Sequence, residues 1–244
     1  MTTNDENFQL LDLIGTDNLI EYNEQKNIFV YTCGCLLAYW EIGTEKRVYI
    51  KYHEGNIGNI KFSKCNNYLV SIDKTRVPTM VIWNTSNFSV YFNSKIPLTL
   101  SNHKDQFVNL NANTDLVDDV FIEFISETNF FLIFNFEGKQ SFFYFEIRKD
   151  INLLFESSLE IDNYCTGVTC FEDTNLFITQ EQKMVKVWKV DGLNVKLSVK
   201  IHLKEKLLKN SITVCYLLKL LIVLTEKGYA IILDDQVSNP LIIG

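Results

Sequence analysis

Five short apolar segments recur along this chain at a near-constant interval, and that interval constrains the fold more than any other feature. The segments are LLAYWEI, TMVIWN, SFFYFEI, MVKVWKV and YAIILDD. Trp40 and Trp83 stand 43 positions apart, Tyr144 and Trp188 stand 44 apart, and so do Trp188 and Ile232. Each segment is rich in branched or aromatic residues and runs into a polar or acidic one, the pattern of a short strand closing on a turn. A self-similar period of this length signals a supersecondary unit that cannot bury its own faces and must stack on its neighbours.

The stretches between the markers fit the same unit. Residues 27–32, 68–72, 130–134, 176–179 and 220–225 read as strands that precede a marker, and 47–52, 88–92, 151–156 and 195–200 as strands that follow one. They are apolar on both sides rather than strictly alternating, as sheets covered on two faces are. The expected fold is all-β: a propeller of about five recognisable blades of up to four antiparallel strands. The blades are read over 8–52, 53–93, 118–158, 161–200 and 211–244, after a disordered terminus over 1–7. The step from Trp83 to Tyr144 is 61, which places an insertion over 94–117, where Asn and Asp accumulate. Residues 241–243 offer the fourth strand of the last blade. Two segments stay ambiguous: 201–208 as a short amphipathic helix or an interblade loop, and 9–20, where QLLDLIG offers a strand that helps close the ring. Five blades lie near the small end of the usual range. Two forms are therefore open, a small or irregular ring or the N-terminal portion of a seven-bladed one.

Composition removes several function classes. The 47% hydrophobic content with 22% charged residues is that of a packed protein rather than a disordered one. A net charge of −7 with no basic run argues against nucleic acid, whose backbone is held by Lys and Arg. The start, MTTNDENF, has no secretory pattern. The longest apolar run, 214–224, is interrupted by Lys219 and is too short to span a bilayer, so no membrane insertion is expected. Cys33, Cys35, Cys65, Cys165, Cys170 and Cys215 form no Cys-x-x-Cys pair, and they read as buried thiols of a reducing compartment.

Residues 52–84, YHEGNIGNIKFSKCNNYLVSIDKTRVPTMVIWN, carry a more specific pattern. A His precedes a first strand, a polar turn leads to a second strand ending near an Asp, and a third strand closes on Trp and a polar residue. This stretch resembles a blade of the WD-repeat family. In that family a His, a Ser or Thr, an Asp and a Trp form a hydrogen-bonded network, and the matching positions are His53, Ser71, Asp73 and Trp83. Tyr144 and Ile232 stand in place of Trp in other blades, Tyr52 replaces the usual Gly, and the contexts of His103 and His202 match poorly. Over 10–86 the chain is also similar to the start of a narrower group. It comprises the echinoderm-microtubule-associated-protein-like, cilia- and flagella-associated WD-repeat, and mitogen-activated-protein-kinase-binding scaffold families. The features that carry this are Tyr-x-x-Gly-Cys at 31–35 and Pro78 before the third strand. The resemblance implies a scaffold for other proteins, with tubulin or axonemal proteins as partners and a cytoplasmic, cytoskeletal, ciliary or flagellar location.

Nothing in the sequence assembles a catalytic, cofactor or metal site. There is no nucleophile elbow, phosphate loop or dinucleotide fingerprint, and three separated histidines cannot write a zinc-protease motif. Asp118-Asp119 and Asp234-Asp235 read as turn residues, and Phe142-Phe143-Tyr144-Phe145 as core. Lys74, Arg76 and His103 are the candidate partner contacts, because loops on a rigid frame carry binding residues. The leading expectation is a non-enzymatic scaffold. The alternatives are an adaptor in a signalling or trafficking complex unrelated to microtubules, and a hydrolase using carboxylates in the central channel. The last requires ionisable side chains with shifted pKa values to converge there.

Overall fold

In the computed structural model the described residues form twenty strands, grouped as five four-stranded antiparallel sheets. The residues described are 19–96, 117, 119–136, 139–147, 151–158, 165–171, 175–181, 184–192, 194–202, 211–217, 220–225, 230–233 and 241–243. The first sheet holds β1 (Ile20–Asn23), β2 (Ile28–Cys33), β3 (Leu36–Glu41) and β4 (Arg47–Lys51). The second holds β5 (Ile57–Phe62), β6 (Tyr68–Asp73), β7 (Thr79–Asn84) and β8 (Ser89–Lys95). The third holds β9 (Asp119–Phe124), β10 (Asn129–Phe136), β11 (Lys139–Ile147) and β12 (Ile151–Ser158). The fourth holds β13 (Cys165–Cys170), β14 (Leu176–Glu181), β15 (Met184–Asp191) and β16 (Asn194–His202). The fifth holds β17 (Ser211–Leu217), β18 (Leu220–Thr225), β19 (Ala230–Leu233) and β20 (Leu241–Ile243).

Within every sheet the strands pair in chain order, and first strands touch first strands: β1 with β5, β5 with β9, β9 with β13, β13 with β17. Sheets stacked about a line of first strands are blades about an axis, so the described residues form five blades of a β-propeller. Among the described residues no contact of like extent joins β17 back to β1.

Blade formation follows from turn chemistry and two-sided burial. Gly34, at φ +59, makes the two-residue hairpin between β2 and β3. Asn27 and Asn66 take the left-handed positions in other turns, at φ 52 and 58, a conformation that Asn tolerates better than most side chains. Side chains then alternate between the two neighbouring blades. Leu69, Val81 and Trp83 pack toward the first blade with Val30 and Leu37. Val70, Ile72 and Ile82 pack toward the third blade with Phe130, Leu132 and Phe145. Phe131 and Phe142 pack toward the fourth blade with Phe177 and Trp188. All four residues of the 142–145 run are buried, two on each face.

Register corrects two of the repeat markers. The pairing of third and fourth strands is interrupted between Ile82 and Trp83, between Tyr144 and Phe145, and between Val187 and Trp188. Phe145, not Tyr144, therefore occupies the Trp83 position, and Tyr144 faces the following blade. In the last blade Leu233 pairs with Leu221 as Trp83 pairs with Leu69, so Leu233 rather than Ile232 holds the marker place. The physical reason is the two-residue period of a strand, in which a slip of one reverses every face.

Other expectations are revised in the same way. The first strand of blade one is Ile20–Asn23, and residues 9–18 lie outside those described. Ile201 and His202 end a strand instead of opening a helix, and 203–210 lie outside the described residues. Of the cysteines whose side chains are described, Cys165 and Cys170 are buried, but Cys33, Cys35 and Cys65 are only partly so. Gly58 sits in β5, where the pairing skips between Ile57 and Asn59.

Candidate functional site

The loop from Lys74 to Pro78 joins β6 to β7 and is anchored from beneath by the second blade's polar core. Trp83 Nε1 donates to Ser71 Oγ at 2.8 Å, and Ser71 Oγ lies 2.7 Å from His53 Nε2. His53 Nδ1 lies 3.2 Å from Asp73 Oδ2. These four side chains are buried. One proton arrangement satisfies all of them: the Ser71 hydroxyl donates to Nε2, and Nδ1–H donates to the Asp73 carboxylate. Asp73 Oδ1 then accepts from the Thr75 hydroxyl at 2.7 Å and the Thr79 N–H at 2.9 Å, both at the ends of the loop. Burial pushes the Asp73 carboxyl up, but the bonds from His53, Thr79 and Thr75 outweigh it and hold it below the ordinary aspartate value.

This chain of bonds runs from the blade interior to the surface. The Thr75 hydroxyl also lies 3.0 Å from the Val77 carbonyl, and its one proton is shared between that oxygen and Asp73 Oδ1, so the loop is braced from within. Arg76 and Val77 project outward; Val77 is 45% exposed. Lys74 is half-buried, and its Nζ lies 3.7 Å from Asp119 Oδ1 on the next blade. Its amine thus ties two blades together, while Arg76 extends into solvent. His103 lies outside the described residues.

The fourth blade holds a variant that sequence reasoning missed. Trp188 Nε1 donates to Thr179 Oγ1 at 2.8 Å, repeating the Trp83–Ser71 bond. Two residues on from Thr179, at the Asp73 position, stands Glu181, and Lys186 Nζ reaches its Oε1 at 2.8 Å. Both ends of that pair are buried. The detectable signal was Thr-x-Glu in ITQE against Ser-x-Asp in VSID. In the third blade the corresponding residues are Leu132 and Phe134, which are apolar.

A second cluster lines the axis. Glu21, Lys61 and Glu123 occupy one register position on three successive first strands, opposite Val30, Val70 and Phe131. Lys61 Nζ lies 3.4 Å from Glu21 and 3.8 Å from Glu123. They border a cavity of about 240 Å³ with Ile20, Asn59 and Phe121 among its walls. Burial pushes the Lys61 ammonium down, but Glu123 and Glu21 more than offset this and raise it. Burial raises the Glu123 carboxyl, and Lys61 offsets that only in part. Ionisable groups with shifted values do converge at the axis. Lys61 nevertheless stands between the two carboxylates and engages both, as in a structural ion network, which shifts pKa values as an active site does.

No protein-family model matches this chain, and no curated protein matches its sequence. Solved structures do match its fold. The C-terminal WD40 domain of Sif2 is similar with a TM-score of 0.62 and 16% identity, over 92% of this chain and 57% of that one. A chain of the mitotic checkpoint complex is similar with a TM-score of 0.65 and 9% identity, over 93% of this chain and 65% of that one. The chain thus spans less than two thirds of either neighbour. At these identities the likeness establishes the WD40-type propeller fold.

Proposed function

We propose that this chain is a non-enzymatic scaffold that holds other proteins on microtubules or the ciliary axoneme, in the cytoplasm and its cytoskeleton. The observation that carries the scaffold reading is the braced loop. A hydrogen-bonded chain running from Trp83 through Ser71, His53 and Asp73 fixes both ends of the segment that presents Arg76 and Val77. A loop fixed before binding loses little entropy on contact, which favours affinity from a small surface. An exposed Arg beside an exposed apolar side chain is a suitable anchor for a protein partner. The microtubule direction rests on the likeness of 10–86 to the microtubule- and cilium-associated group.

Co-sedimentation with polymerised tubulin tests this reading. The chain is expected in the pellet, and R76E combined with V77D is expected to return it to the supernatant without lowering its melting temperature. If the unmodified chain stays in the supernatant, the microtubule assignment fails. The adaptor reading would then stand, favoured by the second neighbour's place in a multiprotein checkpoint assembly.

A further inference from the structure

The chain carries a net charge of −7, yet the end of the second blade that bears the Lys74–Pro78 loop is basic. Three segments are fastened side by side there. The first blade supplies Lys51, at the end of β4 and paired with Leu36. From Lys51 the chain crosses through 52–56 to the second blade. The Asn56 carbonyl accepts the Lys74 N–H at 2.9 Å, and a Cβ on Gly55 would come within 2.4 Å of Thr75 Cγ2, so this crossing packs on the loop. On the loop's other side Lys95, at the end of β8, pairs with Thr79, and the Ile96 N–H donates to the Pro78 carbonyl at 2.8 Å.

Lys74 and Asp119 meet as an ion pair, and Asp73 is engaged inside the blade. The other charged side chains along this end, among the described residues, are Lys51, Arg76 and Lys95 against Glu54, and all four are exposed. Two exposed apolar side chains stand among them. Val77 follows Arg76, and the Tyr52 ring meets Trp83 in a T at 5.6 Å. The indole that begins the polar network thus also positions Tyr52.

We propose that this end of the second blade seats an acidic linear segment of a partner protein, with apolar side chains set between its carboxylates. The carboxylates meet Lys51, Arg76 and Lys95, and Arg76 can hold one of them with two parallel hydrogen bonds. The apolar side chains lie on Val77 and Tyr52. Three cations on an acidic chain are too few for a nucleic-acid backbone, whose affinity grows with the number of phosphates neutralised. They suffice to steer and orient a short acidic peptide, because like-charged partners are repelled and opposite charge fixes register. The inference rests on the scaffold reading and is separate from the microtubule one.

Fluorescence anisotropy tests it, with the 244-residue chain titrated into a fluorescein-labelled peptide of glutamates flanking two phenylalanines. The same peptide with glutamine for glutamate, and an oligothymidylate of equal length, are the comparisons. The glutamate peptide should bind saturably, and binding should weaken as salt rises from about 50 to 300 mM. K51E, R76E and K95E should each weaken it by at least about threefold, whereas K46E, the same change of charge at the other end of β4, should leave it within about twofold. Circular dichroism and melting temperature serve as folding controls. No binding at up to about 1 mM chain, equal binding of the glutamine peptide, tighter binding of the oligothymidylate, or an equal loss in K46E would each overturn the proposal. Peptide binding lost while the chain still pellets with polymerised tubulin sinks this inference alone. Peptide binding kept by a chain that stays in the supernatant sinks the microtubule assignment alone.

Discussion

At the scale of single residues, the second blade depends on bonds that leave no member spare. Trp83 is 1% exposed, and its indole N–H is spent on Ser71. W83A should cost roughly 3–5 kcal/mol, from lost burial and the cavity left behind, as read by chemical denaturation. An unchanged midpoint would contradict the described packing. Asp73 supplies a pH signature. Its folded carboxyl titrates below the ordinary value of 3.8, so it stabilises the fold above that pH, and the contribution is lost as pH falls through the depressed folded value. Wild-type stability should therefore fall on acidification below about pH 4. D73N should be less stable at neutral pH and show a shallower acid decline. Phe88 shows a different trade. Its backbone is held in the left-handed region at φ 54, unfavourable for an aromatic residue, while its ring stacks on Tyr39 at 4.0 Å across the blade junction.

At the scale of strands and sheets, close approach and buried charge carry the sharpest tests. A Cβ on Gly58 would come within 2.6 Å of both Lys74 Cγ and Val120 Cγ1. G58V should therefore push the second and third blades apart and cost about 1–3 kcal/mol. G43V, at a position with open space but φ +85, should act through backbone strain alone. Thermal melts of the two variants separate crowding from strain, since relieving the crowd with V120A should rescue only the first. In the fourth blade the Lys186–Glu181 pair replaces the His–Asp link of the second. K186M alone strands a buried carboxylate and should cost about 3–5 kcal/mol. K186M with E181M removes both charges and should recover most of that loss. If denaturation instead finds the two substitutions additive, the pair is not coupled as the geometry requires.

At the scale of the whole molecule, the third blade joins its neighbours through an aromatic core. Phe131 lies 4.5 Å from Phe177 by ring centroid, and Phe145 packs into the cluster shared with the second blade. Blades coupled this way should unfold together, although repeat proteins can lose cooperativity when neighbour contacts weaken. W83A and K186M lie in blades separated by the third, so their costs should add to within about 0.5 kcal/mol. Each should shift a single transition that coincides by tryptophan fluorescence and far-ultraviolet circular dichroism. Separate transitions would mean that the arc behaves as independent sheets.

The period of the strands, the all-β class and the residue types of one polar network were determined by the sequence, because turns, strands and a His-Ser-Asp-Trp set are local patterns. Tertiary structure alone decided which face each residue uses. Tyr144 and Phe145 are adjacent and equally aromatic, and only strand pairing sends one to the fourth blade and the other to the second. The Glu21–Lys61–Glu123 cluster and the Lys74–Asp119 tie were invisible for the same reason, since each joins residues about 40 or more positions apart. Such contacts form only once neighbouring sheets stack, and stacking depends on the fit of whole faces rather than on any short run of residues.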